Sequence, residues 1–222
     1  MLEELNELFE SSTIKPTFEY VHIILALFIF GKHPEGIGRY RLKENLLIGS
    51  GTARSLIEKL GNVSNFIKVQ EKNKRQGHVL TEQGKKFLNK IREKIPFLES
   101  GKAEDLKEII IQGKDVHAYI SLVKNSADKL NSGIEQRDAA IKVNGSGATC
   151  LIYEKGYLKY PSSPITGENE VKIGKELSDY FKSIADENKA KLEDDDVIIV
   201  GLGNTPERAQ LATLNSALTL IE

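Results

Sequence analysis

The sequence contains no tryptophan, one methionine and one cysteine, Cys150. A single cysteine excludes an internal disulfide framework and any cysteine-rich zinc site, and it fits a reducing compartment. Long hydrophobic runs are also missing. The longest, Ile23 to Phe30, has eight residues, whereas a bilayer crossing takes about 20. The run therefore reads as a buried helix segment, and no membrane is expected as a partner. The first residues, MLEELNELFE, are acidic where a secretory signal is basic, so the expected location is the cytoplasm. His22, His33, His78 and His117 lack the spacing of a metal site. The acidic run Glu193–Asp196 has no His or Cys beside it and reads as a solvated loop. Neither a metal nor a cofactor is expected.

What is present is ordinary globular material: 222 residues, 40% hydrophobic and 28% charged. That is enough for two domains of roughly 100 residues each. Charge divides them. Residues 32–94 carry 15 Lys+Arg against 6 Asp+Glu, a net of +9, while residues 97–222 carry 15 against 21, a net of −6. The expected organisation is a basic domain over 1–95, a linker over 96–102 opened by Pro96, and an acidic domain over 103–222. A basic part facing polyanions would account for the split.

In the basic part, Leu2, Leu5, Leu8 and Phe9 predict a short amphipathic helix. A second helix, opening at Pro16-Thr17 and reaching about Phe30, is apolar on nearly every side and needs cover all round; a second copy of the chain or the second domain would supply it, and a homodimer is expected. Arg39–Leu42 reads as a very short strand, followed by a helix over about Leu42–Leu47. After the turn Ile48-Gly49-Ser50-Gly51, Ala53, Leu56, Ile57 and Leu60 fall at i, i+3, i+4 and i+7. Ser50 is the expected N-cap, and Thr52, Arg54, Ser55, Glu58 and Lys59 point outward. Phe66–Val69 and His78–Leu80 then predict a hairpin whose tip holds Lys72, Lys74 and Arg75. The ordered set (helix, helix, GSGTARSLIEKLG, basic hairpin, LTEQGKKFL) resembles the winged helix-turn-helix domain of prokaryotic transcription regulators over about residues 17–95. LTEQGKKFL is similar to the L-T-x-x-G step that follows the wing in many of them. The resemblance implies double-stranded DNA as partner. Ser50, Thr52, Arg54, Ser55 and Lys59 would then lie at the major groove, with Lys72, Lys74 and Arg75 on phosphate.

The acidic part predicts an α+β domain with a small mixed sheet. A strand is expected over Asp115–Val123, a helix over Ile134–Val143, a hairpin over Ala148–Tyr160 and a helix over Lys175–Asn188. The apolar strand Val197–Val200 is expected to be central, and the helix after Thr205-Pro206 closes the chain. Two stretches suit a small anionic or polar effector. Arg137 with Asp138 runs into Gly145 and Gly147, and Gly201, Gly203 and Asn204 form an expected turn before the last helix. Cys150 reads as a buried strand residue, and no nucleophile–base constellation is visible, so no enzyme is expected. EQRDAAIKVNGSGATCLIYEKGYLKYP, with DDVIIVGLGN and the final helix, resembles archaeal proteins that join a winged helix to a C-terminal domain of unassigned function. The resulting expectation is a DNA-binding transcription regulator whose second domain senses an effector or dimerises. A metabolic enzyme with its active site in 102–222, and a protein–protein adaptor, are the alternatives.

Overall fold

The computed structural model describes residues 1–10, 16–70, 77–102, 104–110, 116–161 and 170–221. The class is α+β, and the chain divides into two units, Met1–Ile91 and Arg92–Glu222. The first begins with a 3₁₀ helix, Leu2–Phe9. Its leucines, Leu2, Leu5 and Leu8, recur every third residue and are buried, which suits a three-residue turn better than an α-helical one. Three helices follow: α1 (Tyr20–Lys32), α2 (Arg39–Leu46) and α3 (Ser50–Asn62). In α1, Val21 and every residue from Ile23 to Phe30 are buried within the single chain. The need for a second copy to cover this helix therefore disappears.

Two local expectations change. Arg39–Leu42 is the first turn of α2, and the strand-like contact falls one step earlier, in a bridge between Ile37 and His78. The cap of α3 is Gly49 rather than Ser50. Strands β1 (Ile67–Val69) and β2 (His78–Leu80) pair antiparallel, with Ile67 opposite Leu80. Helix α4 (Glu82–Lys94) then starts against Asn65 and Phe66, the two residues before β1. The Thr81 hydroxyl donates to the Asn65 carbonyl at 2.6 Å and accepts from the Gly84 N–H at 3.1 Å. The Thr81 N–H donates to the Phe66 carbonyl at 2.9 Å. A Cβ on Gly84 would sit 2.1 Å from that same carbonyl oxygen.

The second unit is a five-stranded sheet in the order β3-β4-β7-β5-β6. Its strands are β3 (Leu98–Gly101), β4 (His117–Val123), β5 (Gly147–Glu154), β6 (Tyr157–Lys159) and β7 (Val197–Gly203). Every pairing is antiparallel, so the sheet is not mixed. The helix α5 (Ile134–Lys142) does bring β5 back parallel to β4, but β7 inserts between them and runs against both. The expected linker 96–102 is also corrected, because Leu98–Gly101 pairs with Ala118–Ser121 as an edge strand and buries Phe97 and Leu98.

The two sheet faces divide along β7. Ile198 and Val200 join Ile120, Leu122, Leu151 and Leu158 in a core closed by Leu177, Phe181 and Ile184 of α6 (Lys175–Glu187). Gly201 and Gly203 face the other way, onto α7 (Pro206–Leu218). Thr205 caps α7, its hydroxyl accepting from the Arg208 N–H, and Pro206 occupies the first turn. Helix α5 packs on α7 through polar contacts: Gln136 Nε2 donates to Thr219 Oγ1 at 2.7 Å, and Ser216 Oγ to the Gln136 carbonyl at 2.7 Å. Among the acids of Glu193–Asp196, Asp196 is not solvated. It is 1% exposed and accepts from Lys124 Nζ at 2.7 Å and from the N–H groups of Asn125 and Glu193. Burial works against the Lys124 charge, but its hydrogen bonds to Asp196 and Glu193 outweigh that and hold its pKa above the ordinary value.

The close approach at Gly84 sets the first prediction. Gly84→Ala places a methyl group on the Phe66 backbone and should lower stability by about 1–3 kcal/mol. Gly61→Ala, whose Cβ meets nothing nearer than 3.8 Å, should be neutral or stabilising by up to about 1 kcal/mol. Paired denaturant melts read the difference, and equal midpoints would refute it.

Candidate functional site

The first candidate site is built on the turn between α2 and α3. Leu47 ends α2 in the left-handed region, at φ 53°, and Gly49 starts α3. The apolar stripe Ala53, Leu56, Ile57 and Leu60 is buried. At 3.6 residues per turn the opposite face is Gly51, Arg54, Ser55, Glu58 and Asn62. Arg54 Nε donates to Glu58 Oε1 at 2.8 Å on this face. The other expected residues divide. Ser50 is exposed in the first turn. Thr52 lies on the flank, its hydroxyl 2.7 Å from that of Thr17. Lys59 lies on the same flank and donates from Nζ to the Glu10 carbonyl. Lys72, Lys74 and Arg75 lie outside the described residues. Basic residues not anticipated for this site are Arg39, Arg41 and Lys43 of α2 and Lys68 of β1, with the Arg39 guanidinium 5.4 Å from the Tyr40 ring centre. Reading Arg39–Leu42 as a strand hid Arg39 and Arg41 from the helix-turn-helix pattern, whereas Lys43 already lay in the helix expected over Leu42–Leu47.

In the second unit the two glycine stretches do come together. Gly147 pairs with Leu202, and Ala148 with Gly201. Gly201 and Gly203, however, belong to strand β7 rather than to a turn, and α7 fills the space they leave. A Cβ on Gly201 would meet Thr213 backbone at 2.4 Å, and one on Gly203 the Ala209 nitrogen at 2.5 Å. Gly145 is similarly closed by Ala212, 2.5 Å away. Asn204 is exposed beyond the strand end. Arg137 points its Nε and Nη2 at Asp138 Oδ1, at 3.1 and 2.9 Å, both side chains being more than half exposed. An open depression of about 480 Å³ lies alongside, lined by residues 131–136 and Asp138, with Glu135 among them. Its acids disfavour the anion for which Arg137 was considered. The expected effector edge is therefore corrected: Gly145, Gly201 and Gly203 serve helix packing, and Arg137 is engaged by its neighbour.

The fold defined here is a helix-turn-helix-like unit followed by an antiparallel α+β unit, and similar chains are known. Residues 19–86 match the family model of the PH0730-like N-terminal domain, and residues 114–220 match that of a domain of unknown function, DUF4443. Hypothetical protein PH0730 from Pyrococcus horikoshii OT3 has a similar structure, with a TM-score of 0.64 at 23% sequence identity. The match covers 91% of this chain and 93% of that one. No curated protein matches the chain.

The remaining chemistry-bearing side chains are placed by burial. Cys150 is 3% exposed in β5, and burial pushes its thiol up to about 12, which disfavours the thiolate that nucleophilic chemistry requires. Among the described residues no group of three or more His, Cys, Asp or Glu is placed to hold a metal ion. His22 accepts the Glu19 N–H on Nδ1 at 3.0 Å, completing a reciprocal cap at the start of α1. Burial lowers the pKa of both His22 and His78 below 6.5. An unfolded chain therefore takes up protons near pH 6.5 that the folded chain still refuses. Stability is fully present above that pH and falls as pH drops through it toward the lower folded values. Denaturation midpoints at pH 7.5 and about 5.5 should show this loss, and His22→Gln with His78→Gln should shrink it. Glu35 and Glu82, held below 4.5 by bonds from His33 and Lys85, add their loss only at lower pH.

Proposed function

We propose that the chain is a DNA-binding transcription regulator whose first unit presents α3 to the major groove and whose second unit holds two copies together without performing chemistry. The observation that carries this reading is the outward face of α3. It is polar, free of bulky apolar groups, and opposite a buried stripe that fixes its orientation next to the α2 turn. The surrounding stretch supplies the positive charge that phosphate binding needs, a net of +9 over residues 32–94. The burial of Cys150 supports a role without covalent catalysis. Exposed Ile134 and Ile141 on one side of α5 support self-association of the second unit.

Fluorescence anisotropy with a labelled duplex tests the first half. Affinity should fall steeply from about 50 to 200 mM salt, as counterion release requires. Lys74→Ala with Arg75→Ala should weaken binding to all sequences and flatten the logarithmic salt slope by up to about 2. Absence of duplex binding at low salt, or binding indifferent to salt, would overturn the reading and favour an adaptor. Light scattering tests the second half: twice the monomer mass at micromolar concentration is expected, and the monomer mass would refute the assembly role.

A further inference from the structure

We propose that Glu58 is a positioning residue for sequence readout: it holds Arg54 so that the two terminal guanidinium nitrogens of Arg54 are presented together to guanine. This rests on the proposed DNA-binding function and names the base that the site selects.

An acid is costly on a surface that meets a polyanion. Glu58 lies on the outward face of α3, 55% exposed, and a carboxylate there repels any polyanion. A helix face serving affinity alone would not carry it. The geometry gives it a second role. Arg54 and Glu58 are one helical turn apart, and the contact is made through Arg54 Nε, 2.8 Å from Glu58 Oε1. The described bond uses one edge of the guanidinium and leaves Nη1 and Nη2, the pair that matches the O6 and N7 acceptors of guanine in the major groove. Arg54 is 69% exposed, so without Glu58 its long side chain would sample many rotamers in solvent. Fixing one of them beforehand lowers the entropy lost when the fork closes on a base. The ion pair also cancels the net charge of this face, so that phosphate attraction there is reduced while the directional hydrogen-bonding capacity of Arg54 is kept.

The two effects have opposite signs in different assays, which separates them from a structural role. The probe is a duplex library with a randomised centre, bound by the full-length protein and sequenced to give base preferences. Wild type should select guanine at one position. Glu58→Ala should raise affinity for unselected duplex and lower the preference at that guanine. The expected loss is about two- to five-fold, the limit set by the strength of an exposed ion pair one helical turn apart, out of the roughly five- to 150-fold discrimination that a bidentate arginine–guanine pair supplies. Glu58→Gln can still accept the Nε–H through its amide oxygen, so it should raise unselected affinity while keeping most of the preference. Arg54→Lys, which has no fork and no Nε–H for Glu58 to hold, should lower the preference further than Glu58→Ala does. Both side chains being exposed, melts of the variants should match wild type. Binding and selection by wild type with an unchanged guanine preference in Glu58→Ala would overturn this inference and leave the DNA-binding reading intact, as would binding with no base preference. Failure of wild type to bind any duplex would remove both.

Discussion

A helix can lie directly on backbone only where no Cβ intervenes, and both units of this protein are built on that condition. In the first, Gly84 lets the opening turn of α4 close on the Phe66 carbonyl, while Thr81 binds the Asn65 and Phe66 carbonyls from the same point. The Phe66 and Phe87 rings stack with centres 4.7 Å apart as a consequence. The end of α3 and the start of β1 are thereby tied to α4, which leaves the polar face of α3 in a defined direction. In the second, Gly201 and Gly203 bring α7 onto the central strand, and the Thr213 hydroxyl lies against the Gly201 N–H at 3.2 Å. The sequence feature is the same in both places, a glycine in a stretch otherwise suited to a larger residue. Its cause is packing, and ligand binding is not needed to account for it.

That ambiguity marks where the sequence was legible and where it was not. Periodicity identified the elements well: Ala53, Leu56, Ile57 and Leu60 are the buried stripe of α3, Val197–Val200 is the centre of the sheet, and Thr205-Pro206 opens α7. These signals are local, since each depends on which side of one element meets apolar surroundings. Strand order is not local. Nothing in residues 115–160 announces that β7, some 40 residues later, will separate β4 from β5, and so the sheet was read as mixed. The glycines of GLGN illustrate the same limit, because a gap for a ligand and a gap for a helix look identical until the partner's position is known. Asp196 is a third case. In sequence it is one of four acids, and only the fold reveals that Lys124 and two backbone N–H groups converge on it. Removing Lys124 would leave the buried Asp196 carboxylate without its cation, a consequence that no run of charges discloses.

The charges of the first unit lead to a sharper division of labour than their sum suggests. A net of +9 over residues 32–94 counts Arg54 and Lys59 as attractive to phosphate, yet neither stands alone. Arg54 shares its charge with Glu58 across 2.8 Å, and Lys59 is drawn to the Glu10 carbonyl on the flank of α3. The centre of the proposed reading face is consequently near neutral, and the positive charge belongs to its surroundings, including Arg39, Arg41 and Lys43 on α2 and Lys68 on β1. Phosphate contacts give affinity and salt dependence without sequence information, whereas base contacts give discrimination with little net charge. A neutral centre within a basic surround keeps those two contributions on different side chains. Changes at the surround then act alike on every sequence, and changes at the centre act on the ranking of sequences. The acid at position 58 is discordant if all of α3 is taken as a phosphate-binding surface, and it becomes coherent once the helix is taken as the part that discriminates.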